Sequence, residues 1–217
     1  MPQSELRTVE SRLVPIVAII AVLVLAEALP ARYQLLPNWF PYVVGAIVIG
    51  SMLAVMAAPY NRIFGSTERW VMFVFVSVII VINILGLGRL LGGMIDHRHD
   101  YASITLLESA VEIWFVNIIA FAVAYWQMDS GGPVNRIAGT GTPDFVFSEA
   151  EHWGPRAVAG KPNFLDYLFL AFTVATSFTA AEPRPLTGRA QLLMMLETLI
   201  SLTTLFVVAA RAIATLT

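Results

Sequence analysis

The chain of 217 residues is 58% hydrophobic and 13% charged, against roughly 45–50% apolar and about 25% charged in an average soluble domain, which excludes an ordinary water-soluble globule. Its 13 Lys and Arg set against 15 Asp and Glu leave a net charge of −2, and without clustered positive charge there is no surface for nucleic acid. Cysteine is absent, so disulfides, iron–sulfur clusters, thiolate zinc sites and cysteine nucleophiles are excluded together.

The apolar residues are gathered into long blocks, as they are when the solvent is lipid. Four blocks, 13–29, 39–58, 70–91 and 104–127, each have about the ~20 residues a helix needs to cross a ~30 Å hydrocarbon layer. Breakers bound them: Leu29-Pro30-Ala31-Arg32, Pro59-Tyr60-Asn61-Arg62, Gly92-Gly93 and Asp129-Ser130-Gly131-Gly132-Pro133. Trp39, Trp70, Tyr125 and Trp126 stand at block ends, where an aromatic ring with a polar edge suits the headgroup layer. The first block is longer than the apolar core of a signal peptide and no small-residue cleavage pattern follows it, so it reads as a mature span. No internal repeat suggests the inverted halves of a secondary transporter.

The C-terminal third departs from this up-and-down pattern. A polar connection over 128–163 leads to a short apolar block over 164–178, then a polar stretch over 179–189, then a last span over 190–215. The short block is too brief to cross and reads as a re-entrant helix, which survives at membrane depth only where protein or water surrounds it. Outer helix, turret, short helix, returning loop and inner helix, in that order, describe a pore module. The expected fold is therefore an all-α integral membrane protein with about five transmembrane helices and one re-entrant pore helix. Residues 1–103 form a three-span region and 104–217 the pore-like module.

The run Asp166-Tyr167-Leu168-Phe169-Leu170-Ala171-Phe172-Thr173-Val174-Ala175-Thr176-Ser177 resembles the pore helix of tetrameric potassium channels. Pro185-Leu186-Thr187-Gly188-Arg189 is similar to the stretch after their filter, Leu196-Glu197-Thr198-Leu199-Ile200-Ser201 to the segment reaching their hinge glycine, and Val207-Val208-Ala209-Ala210-Arg211 to the close of their inner helix. The whole chain also resembles a group of uncharacterised bacterial multi-span membrane proteins sharing the 129–133 turn and this tail, a resemblance that implies no activity. Aligned on the channels' filter, Thr176 and Ser177 take the two threonine positions, Phe178 the valine, Thr179 and Ala181 the two glycines, Ala180 the tyrosine and Glu182 the aspartate. A potassium filter aims successive backbone carbonyls at the ion, a conformation glycine permits and a β-carbon makes costly. Rings of Ser177 and Thr179 hydroxyls and of Glu182 carboxylates, as in less selective cation pores, are what this loop offers instead.

On the last span Glu197, Ser201, Thr204, Val208 and Arg211 share one helix face. Such a stripe avoids lipid, so it either lines a pore or seals helix packing. Glu27, Asn83, Arg89, Glu108 and Glu112 are further polar residues in apolar blocks; pairing of the carboxylates with Arg89 or with hydroxyls is the expectation, and a proton relay or cation site on Glu108 and Glu112 the sharper alternative. Asp96-His97-Arg98-His99-Asp100 has zinc-ligand atoms, but the third His, His152, lies in another connection, so a solvated link without metal is expected. Gly139-Thr140-Gly141-Thr142 lacks the lysine and strand of a phosphate loop. None of the three His has an obvious Ser partner, so no enzyme and no cofactor is expected.

With five spans, Arg7, Arg12, Arg62, Arg69, Arg136, Arg156, Lys161, Arg184 and Arg189 collect on one face and Arg32, Arg89, Arg98 and Arg211 on the other. The positive-inside rule puts the first face in the cytoplasm, whereas a potassium-channel-like module puts its turret, on that same face, outside. The sequence thus points to a homotetramer in a bacterial inner membrane, passing monovalent cations with weak selectivity. Thr176 to Glu182 form the expected constriction, and Glu197, Ser201 and Thr204 the inner lining. The alternatives are a non-conducting structural or regulatory protein that keeps the channel-like fold, or a small transporter.

Overall fold

The computed structural model describes residues 12–28, 37, 39–57, 62–95, 103–147, 162–176 and 183–214. They form α1 (Leu13–Ala28), α2 (Phe40–Ala57), α3 (Arg62–Ile95), α4 (Ser103–Met128), a 3-10 turn (Asp129–Gly131), α5 (Pro133–Ala138), β1 (Phe145–Val146), α6 (Phe164–Thr176), β2 (Arg184–Pro185) and α7 (Gly188–Ala214). The two short strands pair antiparallel, Phe145 opposite Pro185 and Val146 opposite Arg184.

Among the described residues three helical segments are long and apolar enough to cross a membrane: Gly65–Gly92, Leu107–Gly131 and Gly188–Ala210. Leu13–Leu25, Tyr42–Ala57 and Phe164–Thr176 are shorter apolar helices. An all-helical protein with membrane-length helices thus matches the sequence reading, and its full-length candidates number three. The exterior fits the same solvent, because Leu13, Val17, Tyr42, Val74, Leu192 and Phe206 are each more than half exposed. A water-soluble protein does not leave so much large apolar side chain uncovered.

α4 is the central helix and packs against α1, α3, α6 and α7. Phe121, Ala122, Val123, Ala124, Tyr125 and Trp126, successive positions that go all the way round its last turns, are each buried, the pattern of a helix enclosed by others. α6 runs antiparallel along it: Phe164 meets Trp126 with ring centroids 6.0 Å apart, and Phe172 meets Trp114 at 6.2 Å.

The helix starts are set by local chemistry. The Asn163 side chain accepts from the Leu165 N–H at 2.8 Å while the Asp166 carboxylate accepts from the Asn163 N–H at 2.6 Å, a reciprocal box that satisfies two orphan donors and fixes where α6 begins. Thr187 precedes α7, its hydroxyl accepting from the Ala190 N–H at 3.4 Å. α3 reaches back to Arg62 rather than starting at Trp70: no proline between the Pro59 break and Trp70 stops it, and Ser66, Thr67, Glu68 and Arg69 make its first turns polar.

One end of the bundle collects the starts of α1, α3, α6 and α7 and the end of α4. Arg12 joins Glu68 there, a β-carbon at Gly65 would lie 3.4 Å from Val134, and β2 leads directly into α7. α6 leaves this end alongside α4, and the chain is back at the same end in β2.

Candidate functional site

The polar end is organised by two aspartates. After α4 the backbone turns through Ser130, Gly131 and Gly132, all with positive φ (55°, 74° and 97°), a path that glycine follows without steric cost. A second close approach follows, since a β-carbon on Gly141 would stand 1.7 Å from the Ser130 carbonyl oxygen. Folded this way, Asp129 is enclosed. Its Oδ1 accepts from the N–H of Asp144 at 2.7 Å and of Phe145 at 3.3 Å, and its Oδ2 accepts from the Tyr167 hydroxyl at 2.5 Å. Arg136 lies 3.9 Å from that Oδ2, donates to the Trp126 and Asp129 carbonyls at 3.1 and 2.9 Å, and sits 5.2 Å above the Tyr167 ring.

Asp144 extends the cluster to α7. Arg189 clamps its carboxylate through two 2.7 Å bonds, the Thr187 hydroxyl donates to it at 2.6 Å, and its carbonyl accepts from the Leu186 N–H at 2.7 Å. A planar guanidinium facing a carboxylate in two parallel bonds also fixes direction. Asp129 therefore ties α4 to α6, and Asp144 ties the α4–α6 connection to α7.

Within the bundle a second polar chain crosses three helices. Asn83 on α3 donates to the Asn117 side-chain oxygen and the Ile113 carbonyl on α4, both at 3.3 Å. Asn117 donates to the Ser201 hydroxyl on α7 at 2.8 Å and to the Glu197 carbonyl at 3.5 Å. The Tyr125 hydroxyl donates to Glu197 Oε2, while the buried Glu197 Oε1 has no partner. Glu197 stands nine residues into α7, about 14 Å along its axis at 1.5 Å per residue, near the middle of the membrane-length segment Gly188–Ala210.

The expected site residues fall in different places. Thr176 is the last residue of α6, its hydroxyl donating to the Phe172 carbonyl at 2.8 Å. Ser177, Phe178, Thr179, Ala180, Ala181 and Glu182 lie outside the described residues, as do His97, His99 and His152. Glu197, Ser201 and Thr204 do share a face, and that face is buried against α4 within one copy. The outward face of α7 is apolar instead, carrying Leu192, Met195, Leu199, Leu202 and Phe206.

The expected pairing of Arg89 with Glu108 or Glu112 does not form. Arg89 and Glu108 are exposed, and the buried Glu112 Oε1 has no partner. A different pair is buried: Arg12 grips Glu68 through bonds of 2.8 and 3.2 Å, each residue 1% exposed. Sequence reading passed over both, because each lies just outside an apolar block, where a charge normally meets water. The available signal was topological, since the two flanks fall on the same face of an up-and-down bundle. Among the described residues no group of three or more His, Asp or Glu is placed to hold a metal. No family model matches the chain, and no curated protein or solved structure is significantly similar to it.

Proposed function

We propose that this is an integral membrane protein of channel-like build, with five crossing helices and re-entrant α6, that assembles as a homotetramer around a weakly selective cation pathway. The observation that carries the reading is the course of the α6 segment. α6 has 13 residues, about 20 Å at 1.5 Å per residue and too short to cross, and it runs down α4 from the same end at which β2 returns. A helix that enters and comes back, clasped between an outer and an inner helix, is the build in which four copies bring four loops to one axis. In this reading the constriction falls to Thr176 through Glu182, and the Asp129 and Asp144 cluster holds the ends of the loop rigid.

A second reading has its own observation. Glu197, Ser201 and Thr204 are enclosed inside one copy and the free face of α7 is apolar, which favours a frame that is channel-like and does not conduct. One experiment separates the two. The full chain is counted by native mass spectrometry and then placed in liposomes for potassium and sodium flux, with Glu182→Gln as the control. Four copies with a flux that Glu182→Gln reduces support the pore. A stable monomer in several mild detergents overturns it, and four copies without flux transfer the assignment to the non-conducting frame.

A further inference from the structure

At the polar end a cleft of about 430 Å³ opens between the start of α3 and the turn after α4. That is within the ~300–1,000 Å³ of small-molecule sites. Three groups that line the cleft approach Gly131 and Gly132 closely, as the lack of a side chain there permits. A β-carbon on Gly131 would lie 2.9 Å from Asn135 Nδ2 and 3.6 Å from Arg69 Nη1; one on Gly132 would lie 3.9 Å from Gln127 Oε1. The Asn135 amide donates one hydrogen to the Gly131 carbonyl at 3.0 Å, leaving its second free to turn to a ligand. Gln127 is 2% exposed and its Oε1 has no hydrogen-bond partner, although burial of an unsatisfied polar oxygen is costly. Glu68 also lines the cleft, but its charge is met by Arg12, so Arg69 leaves the cleft positive.

We propose that this cleft binds the headgroup of a phospholipid whose terminal group donates hydrogen bonds, a phosphatidylethanolamine. Arg69 and Asn135 take the phosphate, and Gln127 Oε1 accepts from the ammonium. The depth of the site decides for a lipid over a soluble phosphate ester. Its walls are the two ends, Gly65 and Gly131, of membrane-length segments, and the neighbouring Trp70 is 70% exposed, as befits an aromatic at the headgroup level. A choline headgroup fills the same space but has no N–H to offer Gln127, so the site distinguishes the two lipids by one hydrogen bond.

The test is native mass spectrometry of the full chain in detergent, titrated with phosphatidylethanolamine, with phosphatidylcholine of identical acyl chains, or with inorganic phosphate. Phosphatidylethanolamine is expected to bind about tenfold more tightly than phosphatidylcholine, the worth of one hydrogen bond from a charged donor. Gln127→Leu should erase that preference, and Arg69→Gln should weaken both lipids. Ser66→Trp, a change at the exposed mouth of the cleft that leaves the buried groups intact, should exclude both even if Gln127→Leu does not fold. Equal binding of the two lipids by the unaltered protein overturns the proposal, as does lipid binding that Ser66→Trp and Arg69→Gln leave unchanged. Inorganic phosphate binding as tightly as the lipid overturns the lipid assignment.

Discussion

Asp129 and Asp144 make similar numbers of hydrogen bonds, yet their partners differ in exposure, and that difference decides what each contact contributes. Arg189 is 52% exposed at its side chain and Asp144 is 0% exposed, so water screens the guanidinium side of the clamp while the carboxylate stays enclosed beside the Thr187 hydroxyl. Arg189→Gln, whose amide can still donate one bond, is therefore expected to cost about 1–2 kcal/mol in a thermal or denaturant melt of the detergent-solubilised protein. Asp129 is 2% exposed and serves two backbone N–H groups and the Tyr167 hydroxyl at once. Asp129→Ala removes the acceptor shared by the two buried N–H groups and the Tyr167 hydroxyl and the carboxylate 3.9 Å from Arg136, so a loss of about 3–5 kcal/mol is expected, with Tyr167→Phe costing about 1–3 kcal/mol. If Arg189→Gln proves as damaging as Asp129→Ala, the cluster is not divided in this way. Sequence inspection marked 129–133 as a turn because Asp, Gly and Pro punctuate it, but a chain of letters does not say that Asp129 faces inward. The reason is physical: its inward direction is set by Gly131, Gly132 and Gly141 acting together, and by partners as distant as Tyr167.

At the level of elements, what hydropathy reports is the extent of the apolar layer, and helices do not stop where that layer does. The blocks over 70–91 and 190–215 were legible, while α3 starting at Arg62 and α7 starting at Gly188 were not, since the extra turns are polar and end at a break or a cap. The start of α6 was legible at Phe164, where the short apolar block begins, while the box of Asn163 and Asp166 that caps it emerges only in the structure. The pairing of β1 with β2 was beyond reach: strands of two residues carry no periodicity, and 37 residues lie between Val146 and Arg184. The polar stripe on α7 was legible as a stripe, but its direction depends on Asn117 and Tyr125 of α4. Asn117 is the joint between three helices, so Asn117→Ala should separate them at their middle. Interhelical hydrogen bonds in membrane proteins average about 0.6 kcal/mol and reach about 1.7, so with its bonds to Asn83, Ser201 and the Glu197 carbonyl lost a destabilisation of about 2 kcal/mol is expected in reversible unfolding. Asn163→Ala should cost about 1 kcal/mol by removing the α6 cap, with faster amide exchange confined to the first turn of α6. Exchange spread over α4 and α7 as well would mean that the box supports more than its own helix.

For the whole molecule, the distribution of positive charge sets orientation against resemblance. Arg12, Arg62, Arg69, Arg136, Arg184 and Arg189 all belong to the end where α3 and α7 start, whereas Arg89 and Arg211 lie toward the far ends of those helices. That Arg12, Arg136 and Arg189 are paired with carboxylates does not weaken the bias, because acidic residues contribute little to topology. Under the proposed membrane reading the charge rule assigns the Asp129 end to the cytoplasm, opposite to the outward-facing turret that the potassium-channel resemblance implies. The chain has no cysteine, so single cysteines report position without background. Thr140 and Ile213 are both exposed and belong to opposite ends of the bundle. In intact cells a membrane-impermeant maleimide is expected to label Ile213→Cys from outside and to reach Thr140→Cys only after the membrane is opened. The reverse pattern would mean that the clustered arginines face outward, and would restore the usual channel orientation. Labelling of both from outside would mean that α7 does not cross, which removes the inner helix and with it the pore module.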